Sequence, residues 1–480
     1  LFGVYRASFY GLLPVAVCAS LYYASAYSKN EPLLVLRLIL AAVVLNALYA
    51  NLQPWGLDPF ISWGFEDMRS FGATASPVYL GSLIVAVVPV AAHLFRWPKT
   101  VLPWAVALVL ISALWWTKSR GAWLGSAAAV GAYLFVTGHL GRKKLLAAVF
   151  LLACAGVLGV RDRGMSDGLR TETWKIAWTA FKKAPIIGHG PGTFPVSFRR
   201  YRTDRYMEIA DGVHQQASAH NDVLQALSTI GIVGTAIYLW LLVVLAMSVK
   251  TLHRWDPELA GVIGGAFFGI FVLAKFNPVP LATMGVLAVF AGVLAGRSPG
   301  YSLNRRVWGI RASALLLAIV TVVCFADMRF KDAIMASRSA TFGQTVIYFE
   351  TATRWNPWNV RYKTKYVQYL HAAVEGTNQW EELYLLTKAV HVSEDAVLRL
   401  PGSIEAYEVL GVSRMLLRSR SNVGTFQRAM DALDIAQMMD PNFLHTMKIR
   451  QAIAKAMRDK SKFESIGRER HRLEKLMEAD

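Results

Sequence analysis

His220 stands beside Asn221 at the end of a polar stretch, directly before a long apolar run that begins near Leu224. An imidazole, with its ordinary pKa of about 6.5, suits a general base at such a mouth, and a structural histidine fits the same place. Arg120 lies with Lys118 in Thr117-Lys118-Ser119-Arg120-Gly121-Ala122, with apolar sequence on both sides. A cation at the lip of an apolar span either snorkels to water as an anchor or faces a wet site. In a wet site the guanidinium fork can hold phosphate through paired hydrogen bonds. Arg170 opens Arg170-Thr171-Glu172-Thr173-Trp174, and Arg69 opens a turn through Gly72 into Ser76-Pro77. Between Arg170 and His220 runs Pro185-Ile186-Ile187-Gly188-His189-Gly190-Pro191-Gly192-Thr193-Phe194. Gly188, Gly190 and Gly192 suit a tight turn, plain or with backbone amides that hold an anion. There is no Asp-x-Asp pair and no His/Cys cluster at ligand spacing, so the expected chemistry is metal-free and needs no cofactor.

Those residues are positioned by an apolar frame. The chain has 480 residues, 54% hydrophobic and 17% charged, with mean hydropathy +0.35; soluble domains carry about a quarter charged residues. Apolar runs of roughly 17 to 25 residues are each long enough, as helices, to cross a hydrocarbon core of about 30 Å. Spans are expected at about 4–27, 32–50, 77–95, 100–116, 121–137, 144–160, 224–249, 259–276, 279–296 and 308–326. This is an all-α, polytopic helical membrane protein, which excludes a wholly soluble enzyme, a secreted mini-protein and a disordered chain. Lys29, Arg96 with Lys99, Arg142 to Lys144, Lys250 with Arg254, and Arg297 to Arg311 fall in alternate connections, which the positive-inside rule makes cytoplasmic. The other connections, 51–76, 117–120, a large loop of about 161–223 and everything after 326, then lie outside. Arg69, Lys118, Arg120, Arg170 and His220 all fall on that outer side. The net charge of +19 therefore fits loops facing anionic lipid or a phosphate site, without nucleic acid. Cys18, Cys154 and Cys324 sit inside apolar spans as small buried side chains. Leu1 would be outside, which implies an odd number of spans upstream of it.

From residue 327 to 480 the composition turns soluble and helical. Asn356-Pro357, Leu400-Pro401 and Asp440-Pro441 recur at roughly 40-residue intervals among Ala-rich helix faces. That pattern predicts tetratricopeptide-like helix pairs, in which small residues let helices approach and Pro ends the second one. An irregular helical domain is the alternative. The expected organisation is thus a membrane domain at 1–326 with a large external loop, then a helical-repeat domain at 327–480 able to engage a protein partner.

Five short motifs occur in order on the outer side: Arg69…Gly72…Pro77, Ser119-Arg120-Gly121-Ala122, Arg170…Trp174, Pro185…Gly188-x-Gly190-x-Gly192-x-Phe194, and His220-Asn221…Gly231-Ile232-x-Gly234. Over roughly residues 60 to 300 the chain resembles the O-antigen ligase and Wzy-type polymerase superfamily. The resemblance implies a metal-independent, inverting glycosyltransferase of the bacterial cytoplasmic (inner) membrane. It would take glycan from an undecaprenyl-diphosphate donor at the outer face and pass it to a glycan, lipid or protein acceptor. The family histidine maps to His220, its lip arginine to Arg120 and its loop arginine to Arg170. Arg69, Lys118, Asn221, Gly188 and Gly190 are then expected at the substrate. The family's large loop follows its ninth span, whereas here it follows the sixth, so three upstream spans would reconcile the two. His189 between the glycines and the repeat-like tail depart from the pattern, and the tail leaves ligase against polymerase open. The rival readings are a lipid-linked glycan transporter or flippase, whose outer arginines bind diphosphate without chemistry, and a membrane-anchored repeat scaffold.

Overall fold

The computed structural model describes residues 12–27, 32–57, 69–74, 76–95, 100–138, 164–210, 216–297, 303–339 and 341–477. Among them every regular element is a helix, as the composition requires. Apolar helices α1 (Leu12–Tyr27), α2 (Pro32–Leu52), α3 (Pro77–Leu94), α4 (Leu102–Thr117) and α5 (Arg120–Thr137) come first. The polar segment α6 (Gly164–Lys183), α7 (Phe194–Tyr201) and α8 (Asp204–Ile209) follows, then apolar α9 (Asp222–His253), α10 (Pro257–Leu273) and α11 (Leu281–Gly296). The long α12 (Leu303–Ser339) leads into α13 (Phe342–Trp355), α14 (Val360–Ala373), α15 (Gln379–Arg399), α16 (Ile404–Ser421), α17 (Phe426–Met439), α18 (Leu444–Ala456) and α19 (Lys460–Met477). By length and composition Pro32–Trp55, α3 and α9 can each cross a membrane, and α4, α10 and α11 are shorter apolar helices. Most expected spans coincide with these helices to within a few residues; the one expected at 308–326 is part of a helix that continues to Ser339, and residues 4–11 and 144–160 lie outside the described residues.

Glycine spacing explains how the bundle closes. Gly261, Gly265 and Gly269 recur every fourth residue along one face of α10, against Thr137, Ala129 and Gly125 of α5. A Cβ on Gly269 would come within 2.5 Å of the Ala129 Cβ. The same device seats α11 on α1, where a Cβ on Gly296 would sit 2.3 Å from the Ala26 carbonyl oxygen. In a lipid solvent this close approach, and not apolar burial, holds helices together. Beyond Gly231, α9 instead turns its apolar side chains outward, with Ile237, Trp240, Val243 and Met247 all exposed; that face suits lipid.

Connections expected on one side gather at one end of the bundle. The Arg69–Ser70 segment, the α4–α5 turn, the α10–α11 connector and the start of α9 interlock there. At the opposite end Glu258 accepts from the Tyr133 hydroxyl and lies 3.2 Å from His93 Nδ1. α12 packs on α1 within the bundle and on α13 beyond it, so the boundary expected at residue 326 falls inside one unbroken helix. In the tail a single turn recurs. Asn356, Leu400 and Asp440 each donate their amide to an alanine carbonyl four residues back, and each carbonyl accepts from the residue three further on. Ala352, Ala396 and Ala436 in those turns are fully buried, which gives the Ala…Pro recurrence its physical cause.

Candidate active site

Arg120 is the first residue of α5. Ser119 caps the helix, its hydroxyl accepting from the Ala122 amide. Lys118 ends α4 in the left-handed conformation (φ 49°), so chain direction reverses within two residues and both cations stay at the bundle end. Arg69 Nε donates to the Thr117 carbonyl at 3.1 Å, and the Ser70 amide to that of Trp116 at 3.0 Å. Three half-buried cations, Arg69, Lys118 and Arg120, thus share one turn, and the amide-rich start of α5 adds to their field. Gly121 follows because only hydrogen fits there: a Cβ would lie 2.2 Å from Asn277 Nδ2. Asn277 is buried in the α10–α11 connector.

That same connector holds the histidine turn. The Asp222 amide donates to the Ala274 carbonyl at 3.0 Å, and Lys275 Nζ donates to both Asp222 carboxylate oxygens at 2.6 and 2.8 Å. Tyr238 donates to Asp222 as well. His220 adopts a left-handed backbone (φ 52°), pinned on one side by the Ala219 amide donating to Gln225 and on the other by Asn221. Asn221 Oδ1 accepts from the Val223 and Leu224 amides. Asn221 is therefore the cap of α9, fixing the loop, and it is Gln216 whose amide oxygen meets the ring, 3.1 Å from His220 Nε2. Nδ1 of the same ring is buried and has no partner among the described residues. Arg170, on α6, acts electrostatically on the ring. Burial first, and the Arg170 charge second, push the His220 pKa down to about 4. The imidazole is consequently neutral near pH 7, the state a base requires.

The glycine turn takes the plain form of the two that the sequence allows. The Gly188 amide donates to the Ala184 carbonyl, that of His189 to Ser228, and that of Gly190 to Thr229 at 2.7 Å. The amides of Gly188 and Gly190 are thus engaged inside the protein. What they build is a splice onto a break in α9. Gly231 has φ 65° and ψ −168° inside that helix, conformational territory nearly exclusive to glycine. The Ile232 and Val233 amides, freed by the break, donate to the Pro185 and Ile186 carbonyls. His189 fills the splice, its Nε2 2.9 Å from the Ala180 carbonyl oxygen.

A small core of Ile176, Phe194, Phe198, Tyr206 and Ala219 joins α6, α7, α8 and the histidine turn. From its far side the tail attaches. Arg202 pairs with Asp440 at 3.0 Å, Arg199 with Glu405 at 2.9 Å and Arg472 with Asp204 at 3.1 Å. Loop and tail therefore share one side of the bundle. Within it, an apolar cavity of about 330 Å³ opens between α3, α4 and α5, lined by Ile84, Leu110, Leu114, Trp123 and Leu134 among others. Leu114 and Trp123 place its upper end within about one turn of Lys118 and Arg120.

Structure thus gathers Arg69, Lys118 and Arg120 around one turn and puts His220 on another, both turns resting on residues 274–277, with Arg170 of α6 acting on the His220 ring. Sequence reading missed Gln216, Lys275 and Asp222. Lys275 carried a signal, a lone ammonium at the end of an apolar run, but it was counted within the span.

Residues 104–239 match the O-antigen ligase family. The match takes in Lys118, Arg120, Arg170, Gly188, Gly190, His220 and Asn221, and it ends inside α9. An uncharacterized protein of Haemophilus influenzae is 25% identical over 179 residues, covering 32% of this chain and 44% of that protein.

Proposed function

We propose, from the match of residues 104–239 to the O-antigen ligase family, that this chain is a membrane glycosyltransferase that transfers glycan from an undecaprenyl-diphosphate-linked donor to an acceptor hydroxyl. The observation that carries the reading is the convergence of half-buried cations and one neutral imidazole on the 274–277 connector. As the glycosidic bond breaks, negative charge grows on the diphosphate. Arg120 and Arg170 stabilise it through charge-assisted hydrogen bonds, with Lys118 and Arg69 adding to the field. His220 takes the proton from the acceptor hydroxyl as its oxygen attacks the anomeric carbon opposite the diphosphate, so configuration inverts in one displacement. A diphosphate paired with Arg170 cancels part of the charge that weakens this base, so the ring gains proton affinity as donor seats. His220 Nδ1 is closed to solvent, and transfer requires the loop to part as the acceptor enters. The cavity beside α5 suits the isoprenoid chain, apolar along its length and ending near the cations. On this reading the site faces the periplasmic or extracellular side of the bacterial inner membrane. The tail, built as tetratricopeptide-like helix pairs, lies over it where acceptors arrive.

The test is full-length protein in lipid nanodiscs with an undecaprenyl-diphosphate glycan and a panel of saccharide, lipid and protein acceptors. Released undecaprenyl diphosphate, matched by glycan on one acceptor, is the expected result. His220→Ala should lower turnover by about 10²- to 10⁴-fold with donor binding intact. Arg120→Lys and Arg170→Lys, which keep the charge but lose the planar fork, should each reduce it. Wild-type turnover by His220→Ala would overturn the assignment.

A further inference from the structure

One nitrogen of His220 is occupied and the other is not, and the neighbours decide which carries the proton. The Gln216 amide has two ends. Its NH₂ donates to the Tyr206 hydroxyl at 3.0 Å, and its oxygen faces His220 Nε2 at 3.1 Å. Tyr206 is fully buried and held edge-on by Phe198, ring centroids 4.8 Å apart, so the hydroxyl that receives the amide is held in place. An amide oxygen can only accept, hence the facing nitrogen must be Nε2–H. A neutral ring carries one N–H, which leaves Nδ1 as a bare lone pair. The opposite tautomer would require the amide to turn over, its oxygen accepting from Tyr206 and its NH₂ donating to Nε2, and would bury an Nδ1–H without a partner, at a cost of about 1–3 kcal/mol. A half-turn of the ring is no escape either, since it would set a ring carbon against the Gln216 oxygen in place of Nε2 and lose the hydrogen bond.

We infer that Gln216, backed by Tyr206, is a positioning residue that locks His220 as the Nε2–H tautomer and thereby makes Nδ1 the atom that receives the acceptor's proton. The inference rests on the reading of His220 as the base and adds to it the atom and its keeper. The charged and titratable groups facing this set are Arg170 from α6, Tyr206 from α8 and Arg202 beside Tyr206. Tyr206 stays protonated because burial raises its pKa, so it remains a neutral hydroxyl partner and the lock is not itself pH-dependent. Proton balance is simple. The acceptor O–H bond breaks, the new Nδ1–H bond forms, and the cationic ring donates from both nitrogens until the proton leaves to water.

Two measurements on the full chain in bilayers test this. With ¹⁵N-histidine labelling and the His220 signals assigned by difference against His220→Gln, the wild type should show a protonated Nε2 and an unprotonated Nδ1. Gln216→Leu, which removes the acceptor, should lower kcat by about 10- to 100-fold, the usual loss for a group that orients a reacting one, with donor KM unchanged. Gln216→Glu keeps the acceptor and adds charge, so it should recover most of kcat while moving the acid limb of the rate profile to higher pH. An Nδ1–H signal in the wild type, unchanged kcat in Gln216→Leu, or a Gln216→Glu profile identical to that of Gln216→Leu overturns the inference. Failure of the underlying reading is separately visible, because His220→Gln would then remain active whatever the tautomer.

Discussion

Arg202 and Asp440 form an ion pair between the polar loop and the tail, with side-chain exposures of only 4% and 3%. Burial raises the Asp440 pKa despite the attraction of Arg202 and Arg199, so desolvation outweighs the Coulomb gain. Such a pair costs much to break and little to delete. Asp440→Asn leaves a buried guanidinium without a counter-charge, its Nε already lacking an acceptor, and should weaken loop–tail docking by about 3–5 kcal/mol. At ~1.4 kcal/mol per decade, docking falls by about two to three and a half decades. Replacing both partners with apolar groups, Arg202→Met with Asp440→Leu, removes the unpaired charge and should recover most of that loss. Hydrogen–deuterium exchange on the full chain in nanodiscs reads the outcome, because α7 amides 194–201 lie between this contact and the core that seats His220. Faster exchange there in Asp440→Asn, largely restored in the double variant, is expected. Wild-type protection of α7 in Asp440→Asn would refute the claim that this pair holds loop to tail. A double variant as loose as the single would refute the electrostatic reasoning behind it.

Acidification should loosen the histidine turn. The folded ring has a pKa of about 4 and the unfolded one about 6.5, so its contribution is complete above pH 6.5 and drains away between there and pH 4, on the order of 3 kcal/mol. Proteolysis of the loop in wild type and His220→Gln should diverge across that window, and superimposable curves would mean the ring is not held neutral. Gly231→Ala forces a Cβ to 2.3 Å from the Ile186 carbonyl oxygen at φ 65°, a strain and clash of at least about 3 kcal/mol. Trypsin should then cut at Lys182 and Lys183 much faster than in wild type, and an unchanged cutting rate would contradict the splice.

How much of this was legible depended on the range of the interaction. Apolar runs set helix positions through a one-residue-at-a-time preference for lipid, so α2, α3, α9 and their neighbours were readable. The alternation of basic loops likewise put Arg69, Arg120, Arg170 and His220 on one side, and the bundle brings their turns to one end. Hydropathy averaging hid Lys275, since one ammonium among apolar neighbours barely moves a window of such length. Gln216 left no mark at all. An uncharged amide has no spacing rule, and its importance comes only from what folding places at its two ends.

The glycines teach the opposite lesson about local motifs. Gly188-x-Gly190-x-Gly192 was readable as a turn, but whether its amides face a ligand or the chain depends on a second element far along the sequence. Here Gly231 breaks α9 and exposes the Ser228 and Thr229 carbonyls, and those carbonyls claim the amides of His189 and Gly190. A helix broken beside its own cap carries unsatisfied polar groups at the membrane surface, where they are expensive. The loop satisfies them, and in doing so it ties α6, with Arg170, to the helix capped by Asn221, next to His220. The spacing between cation and base is therefore set by backbone hydrogen bonds in the splice as well as by the small core around Phe198, which is why a single Cβ at Gly231 should disturb a site it never touches.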